Sequence, residues 1–178
     1  MGFIKWLFVR TRPEERNWRV ATVVGLIAGL CSVWVKWGAE HTTPPRLPDT
    51  MAPPVAIAQH WFGLVDPMYT FMGTGISWGA LVHGFMSIVL VLIYVWLSEV
   101  FPRVRLWQGV AYGICAAIGA HFIAIPAMGL SGWPWELPAA ASVSELISHA
   151  ITFLIADQIC CGIRAKITGK PYPSWEGM

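Results

Sequence analysis

Four apolar runs, each close to or above the length that crosses a bilayer, constrain this chain more than any other feature. They extend over about 20–39, 75–100, 107–130 and 143–163. A hydrocarbon core about 30 Å thick is spanned by about 20 residues at 1.5 Å each. Lipid offers no partner to a backbone N–H or C=O, so such runs satisfy their polar groups internally, as helices. Composition agrees: 56% of residues are hydrophobic and 12% charged, where soluble domains carry about 25% charged residues. Eleven tryptophans fit a chain that meets the headgroup layer repeatedly, because indole has one apolar and one wet edge. The expected fold is all-α, a polytopic membrane protein with a bundle of four transmembrane helices.

Residues 1–19 read as a basic and aromatic N-terminus, 20–163 as the transmembrane domain with an outer loop at 41–74, and 164–178 as a tail. Prolines 44, 45, 48, 53 and 54 exclude regular structure from the first half of that loop. The spacing of Ile57, Trp61 and Leu64 then predicts a short interfacial helix over 55–64, closed by Gly63 and Asp66-Pro67. Ten of the twelve Lys and Arg lie in the N-terminus, the turn between the second and third runs, and the tail. With an even number of spans, this asymmetry predicts both termini on the cytoplasmic side of a bacterial inner membrane. Trp34, Lys36 and Trp37 follow the first run where a cleavage site would need small residues, so no processing is expected there. Leu30 likewise occupies a place where lipidation at Cys31 would need a small residue.

Cys31, Cys115 and the pair Cys160–Cys161 lie in apolar runs without a C-x-x-C spacing, and are expected to be reduced, small core residues. No basic face interleaved with aromatics suggests nucleic acid. No nucleophile–base arrangement, P-loop, G-x-G-x-x-G or H-E-x-x-H is present, so nothing points to a recognisable enzyme, although a metal-hydroxide hydrolase stays open.

Each run carries a small and polar stripe at steps of three or four: Gly25, Gly29, Ser32, Lys36 and Glu40; Gly75, Gly79, His83 and Ser87; Gly109, Gly113, Ala117 and His121; Glu145, His149, Thr152 and Ala156. Spans in lipid associate through such stripes. Packing alone leaves the histidines unexplained. At 1.5 Å per residue, His83, His121 and His149 fall roughly 9 to 14 Å below the outer surface, in one layer. Glu145 lies one turn above His149, while Lys36 and Glu40 reach the layer's outer edge. Ionisable groups at such depth are costly and mark sites by default.

The cluster admits several readings. It is a protonatable centre open to the outside, with imidazoles that charge near neutrality and Glu145 holding a proton. It is a metal site of His83, His121, His149 and Glu145 for zinc or another first-row ion. It is a b-type haem site between two histidines. Or the histidines are interhelical hydrogen-bonding glue. Lys36 and Glu40 read as an i,i+4 ion pair snorkelling outward. Asp157, about 80° around its helix from His149, faces a neighbouring helix or the inner headgroups. Glu99 is expected to pair with Arg103 or Arg105, while His41 and His60 are solvated.

Several strings carry a family resemblance. Gly25-Leu26-Ile27-Ala28-Gly29, Val35-Lys36-Trp37-Gly38-Ala39-Glu40 and Pro44-Pro45-Arg46 are followed by Asp66-Pro67 and Tyr69-Thr70-Phe71. Glu99-Val100-Phe101-Pro102, Leu106-Trp107-Gln108-Gly109, Met128-Gly129-Leu130, and Ser144-Glu145 with His149 complete the set. Over roughly 20–150 the chain resembles the YagU family of bacterial inner-membrane proteins. That resemblance implies the inner membrane, with His83, His121, Glu145 and His149 at family positions, and a loose tie to acid tolerance. The outer loop is shorter than the family's, and 172–178 has no counterpart. Beyond the lipid bilayer, the expected partners are a second copy through glycine faces or a larger membrane complex.

Overall fold

The computed structural model describes residues 8–42, 52–65, 69–71, 74–170 and 172; at 40–42, 69–71 and 74–76 it describes backbone alone. The first long helix, α1 (Trp18–Thr42), starts where Asn17 caps it: Asn17 Oδ1 accepts from the Val20 N–H at 3.1 Å. A short helix, α2 (Pro53–Phe62), follows with prolines in its first turn and ends on Gly63 in the left-handed conformation, φ 64°. It occupies the place where the loop spacing predicts an interfacial helix. A small antiparallel hairpin, β1 (Tyr69–Phe71) and β2 (Thr74–Ile76), pairs Tyr69 with Ile76. The sequence pattern gives no hint of it.

The second span begins three residues later than its apolar run. Thr74–Ile76 is extended, and Ser77 caps α3 (Trp78–Val100) by accepting from the Ala80 N–H at 2.9 Å. Pro102 stops it, as expected. A 3-10 turn, Pro102–Arg105, leads into three consecutive left-handed residues: Trp107 (φ 52°), Gln108 (φ 55°) and Gly109 (φ 85°). Only the third suits that region without cost. The third span, α4 (Val110–Ala127), therefore starts after this reversal rather than at Trp107. The last, α5 (Ala139–Thr168), outruns its apolar stretch at both ends and closes on Gly169. All four long helices have the length and hydropathy to cross a membrane.

α1 packs between α3 and α5, α4 packs on α5, and α2 lies on α3. The order around the bundle is thus α3, α1, α5, α4. Ala21, Val24 and Ala28 meet Val91, Tyr94 and Val95, with Phe153, Ala156 and Cys160 completing the core. Close approach is made by glycine, as dispersion-driven association in lipid requires. A Cβ on Gly29 would come within 2.8 Å of Ile88 Cα, and one on Gly113 within 2.5 Å of the His149 carbonyl oxygen. Two cysteines depart from expectation: Cys31 and Cys115 lie on outward faces, while all four thiols are free.

α4 is not a uniform helix. Across Ile118–Ala124 its hydrogen bonds widen to five-residue spacing, and the Ile125 N–H reaches back to Ala120 O. Pro126 follows, lacking an N–H and crowding the carbonyl one turn back. The widening absorbs that defect and turns His121 inward.

The α4–α5 contact yields a direct test. Gly113→Ala should lower stability in detergent by about 1–3 kcal/mol through overpacking against α5. Gly162→Ala, where a Cβ meets nothing within 4 Å, should be neutral or slightly stabilising. Equal unfolding midpoints for the two variants would refute the proposed close approach.

Candidate functional site

The polar layer converges on one oxygen. Lys36 Nζ from α1 donates to Glu145 Oε2 of α5 at 2.9 Å, and His121 Nε2 from α4 lies 3.2 Å from the same atom. His149, one turn along α5, places Nδ1 2.8 Å from the Glu145 carbonyl oxygen. A carbonyl only accepts, so Nδ1 carries the proton, and Nε2 of the neutral ring is left with its lone pair. The two imidazoles meet edge to face, with centroids 5.0 Å apart. No porphyrin fits between rings in that contact. Lys36 is 5% exposed and Glu145 8%, so this ion pair is buried rather than snorkelling at the surface. Glu40's side chain lies outside the described residues, as does His41's. His60 is exposed.

These groups border a cavity of about 170 Å³ between α3 and α4, at the end of the bundle that carries α2. Lys36, His121 and His149 line it together with His83, Ser32 and Thr152. All four of the sequence-identified basic residues therefore face one space, although His83 is not among the residues grouped around Glu145. Pro53 and Val55 of α2 roof the cavity. Gly79 lets that roof close, since any Cβ there would collide with Val55. Phe153 lines the floor and is backed by Tyr94 and Tyr112, with the three ring centroids 4.8–5.5 Å apart.

Three groups, His121, Glu145 and His149, offer one ligand atom each within 4.8 Å of one another. That spacing suits a small first-row ion. Lys36 works against it, because an ammonium 2.9 Å from one carboxylate oxygen opposes a second cation on the same group.

Beyond the floor lies a second charged region. Asp157, 1% exposed, accepts from Tyr94 Oη at 2.7 Å and from Arg105 Nε at 2.8 Å. It contacts neighbouring segments, not headgroups. Glu99 departs from expectation: its partner is Arg164, at 3.1 and 3.2 Å, and it also accepts from the Asn17 N–H at 2.9 Å. Arg105 is drawn instead to Asp157, because the left-handed turn at 107–109 folds it back toward α5. Tyr172 from the tail is held between Arg105 and Arg164, each guanidinium 4.7 Å from its ring centre. Burial raises the Tyr172 phenol above the ordinary tyrosine range, so a neutral ring lies between the two cations. Sequence reasoning missed Tyr172 and Arg164, which carry no periodic signal. An Arg one turn inside the end of an apolar helix was the available hint.

Fold and site together define a four-span helical membrane protein with a buried Lys–Glu–His centre beside a cavity. The particular family follows from comparison with known proteins. Residues 30–158 match the family described as "Protein of unknown function (DUF1440)". The chain is 35% identical to "Inner membrane protein YagU" of Escherichia coli (strain K12), over 94% of its own length and 95% of that relative's. The chain belongs to this family. No solved structure matches it. Lys36, His121, Glu145, His149 and Asp157 all fall within the matched region.

The most buried ion pair among the described residues gives the second test. Glu99 and Arg164 side chains are 0% and 4% exposed, and breaking a buried pair from one side costs about 3–5 kcal/mol. Glu99→Gln should therefore lower the unfolding midpoint sharply, and Glu99→Leu with Arg164→Met should recover much of the loss. A Glu99→Gln protein as stable as the parent would rule out the pair as a support.

Proposed function

We propose that this protein is an acid-responsive sensor of the inner membrane, in which the Lys36–Glu145–His121–His149 centre takes up protons from the periplasmic side. One observation carries the reading: an ammonium and an imidazole converge on a single carboxylate oxygen, at the wall of a cavity. Lys36 and Glu145 neutralise each other, so protonation of an imidazole adds net charge to a site of low dielectric. Imidazole is the side chain whose ordinary titration falls between about pH 5 and 8. An added positive charge there repels Lys36 and competes with it for Glu145, the group that ties α1, α4 and α5 together. The widened turn at Ile118–Ala124 gives α4 a place to yield.

The distribution of basic residues supports an orientation for this reading. The described Arg10, Arg12, Arg16, Arg19, Arg103, Arg105, Arg164, Lys166 and Lys170 lie toward the end away from α2, and a positive-inside bias favours both termini in the cytoplasm with the cavity toward the periplasm. The packed floor of Tyr94, Tyr112 and Phe153 favours sensing over conduction. The family tie to an inner membrane protein is consistent with this placement.

Histidine side-chain NMR in nanodiscs tests the reading. Lowering the pH through about 6 should give a protonation step accompanied by a change in tryptophan fluorescence. A His83→Gln, His121→Gln, His149→Gln protein should lack the fluorescence change, and its persistence there would end the proposal. Proteoliposomes should show no proton flux above the protein-free background; flux would replace sensing by conduction.

The spacing of His121, Glu145 and His149 supports a second reading, a bound zinc or similar ion. Elemental analysis after metal-supplemented purification separates the two. We expect substoichiometric metal, because Lys36 holds Glu145. A full equivalent lost in His121→Ala would establish the metal reading instead.

A further inference from the structure

Three polar side chains of the cavity wall have their protons committed to backbone carbonyls of their own helices. His149 directs Nδ1–H to the Glu145 carbonyl oxygen at 2.8 Å, which leaves Nε2 with its lone pair. Ser32 donates to the Gly29 carbonyl at 2.8 Å, and Thr152 to the Ser148 carbonyl at 2.6 Å. All three line the cavity and are at most 4% exposed. What they can still offer is acceptor capacity. Nε2 is the sharpest case, since among the described residues nothing donates to it. A buried acceptor without a donor is costly, so a molecule that brings one completes the site.

The rest of the wall is largely hydrocarbon: Met86, Leu90, Val91, Ile125 and Phe153. We infer that the cavity binds a small neutral hydrophobe carrying a hydroxyl, phenol being the simplest, whose O–H is donated to His149 Nε2. An aromatic ring suits the apolar part, because Phe153 offers it an edge-to-face or offset partner. Size agrees: a cavity of about 150 Å³ takes a benzene ring, and this one has about 170 Å³. Lys36, His83 and His121 also border the space, but each has further interactions of its own, and none is required as a donor to the ligand.

The same wall rejects other chemistries. A carboxylate set against these lone pairs meets repulsion and loses its water. An ammonium brings another cation beside Lys36 and is stripped of water as well. An ether or hydrocarbon of the same shape fills the volume but leaves the nitrogen unsatisfied. The ligand shares His149 with the protonation reading but requires only the neutral tautomer, so the two can fail separately.

Equilibrium dialysis of labelled phenol against the full chain in nanodiscs, at neutral pH and with empty nanodiscs subtracted, tests this. Phenol should bind saturably. Anisole and toluene should bind at least tenfold more weakly, since both leave the buried acceptor without a donor, and benzoate should be weaker by as much. Nitrogen NMR reads the contact itself: the bare ring nitrogen of His149 should move upfield with phenol and stay in place with toluene. His149→Leu should bind phenol and anisole about equally. Anisole or benzoate binding as tightly as phenol, or no saturable phenol binding by the wild-type chain, overturns the inference without reference to any variant. So does an unmoved nitrogen at saturating phenol, or a phenol preference that survives in His149→Leu. Histidine titration is read separately. If it persists while phenol fails to bind, the ligand inference falls and the protonation reading stands; if both are absent, the centre loses both roles.

Discussion

α5 carries two buried carboxylates, Glu145 and Asp157, about 18 Å apart along its axis, and each is neutralised by a base from elsewhere in the chain. Lys36 of α1 meets the first, and Arg105, in the turn before α4, meets the second. A third pair, Glu99 with Arg164, joins α3 to α5. Every other span is thereby tied to α5 directly, or through a residue at its boundary. In lipid there is no hydrophobic force to hold helices in one rotation, since acyl chains solvate leucine as well as another helix does. A buried charge without its partner is far more costly than a lost apolar contact. The three pairs therefore set the rotation and depth of the helices, and the glycine contacts fill in behind them.

The cavity arises from the same arrangement. Toward the tail end, Gly109 and Gly113 bring α4 against the backbone of α5 at Phe153 and His149. Further along, Gly119 has no neighbour within 4 Å, and the widened turn and Pro126 alter the helix path. Between this part of α4 and α3 lies the cavity, which is roofed by α2 instead of being filled by side chains. Tight packing at one end and an opening at the other thus follow from where glycine, the widened turn and proline fall in a single span.

Hydropathy made the four spans legible, because the bilayer sets their length, and the fixed rise per residue made the histidine layer legible as well. Partners were harder to read. Local spacing offers Glu40 to Lys36 and Arg103 or Arg105 to Glu99, since i,i+4 and adjacent-turn neighbours are the only ones a single helix supplies. Glu145, which meets Lys36, and Arg164, which meets Glu99 in place of Arg103 or Arg105, are brought close by helix rotation, which the sequence encodes only through the whole set of packing contacts. α5 outran its apolar run because Arg164 is paired internally, so a charged residue did not mark the membrane boundary. The hairpin at 69–76 escaped because three-residue strands are too short for a period-two pattern to register.

The chemistry of the bases divides the molecule into two parts. At Asp157 and Glu99 the partners are arginines, which keep their protons at any physiological pH, so these bridges hold their charge whatever the surroundings do. At Glu145 the partners are lysine and histidine, whose proton affinity responds to environment. No arginine lines the cavity among the described residues. The carboxylate beside the cavity is thus paired with bases of adjustable proton affinity, and the carboxylates beyond the aromatic layer are paired with fixed cations. A bundle that used arginine at both ends would be as well neutralised. The choice of lysine and histidine at the cavity is therefore the feature that stability alone does not require.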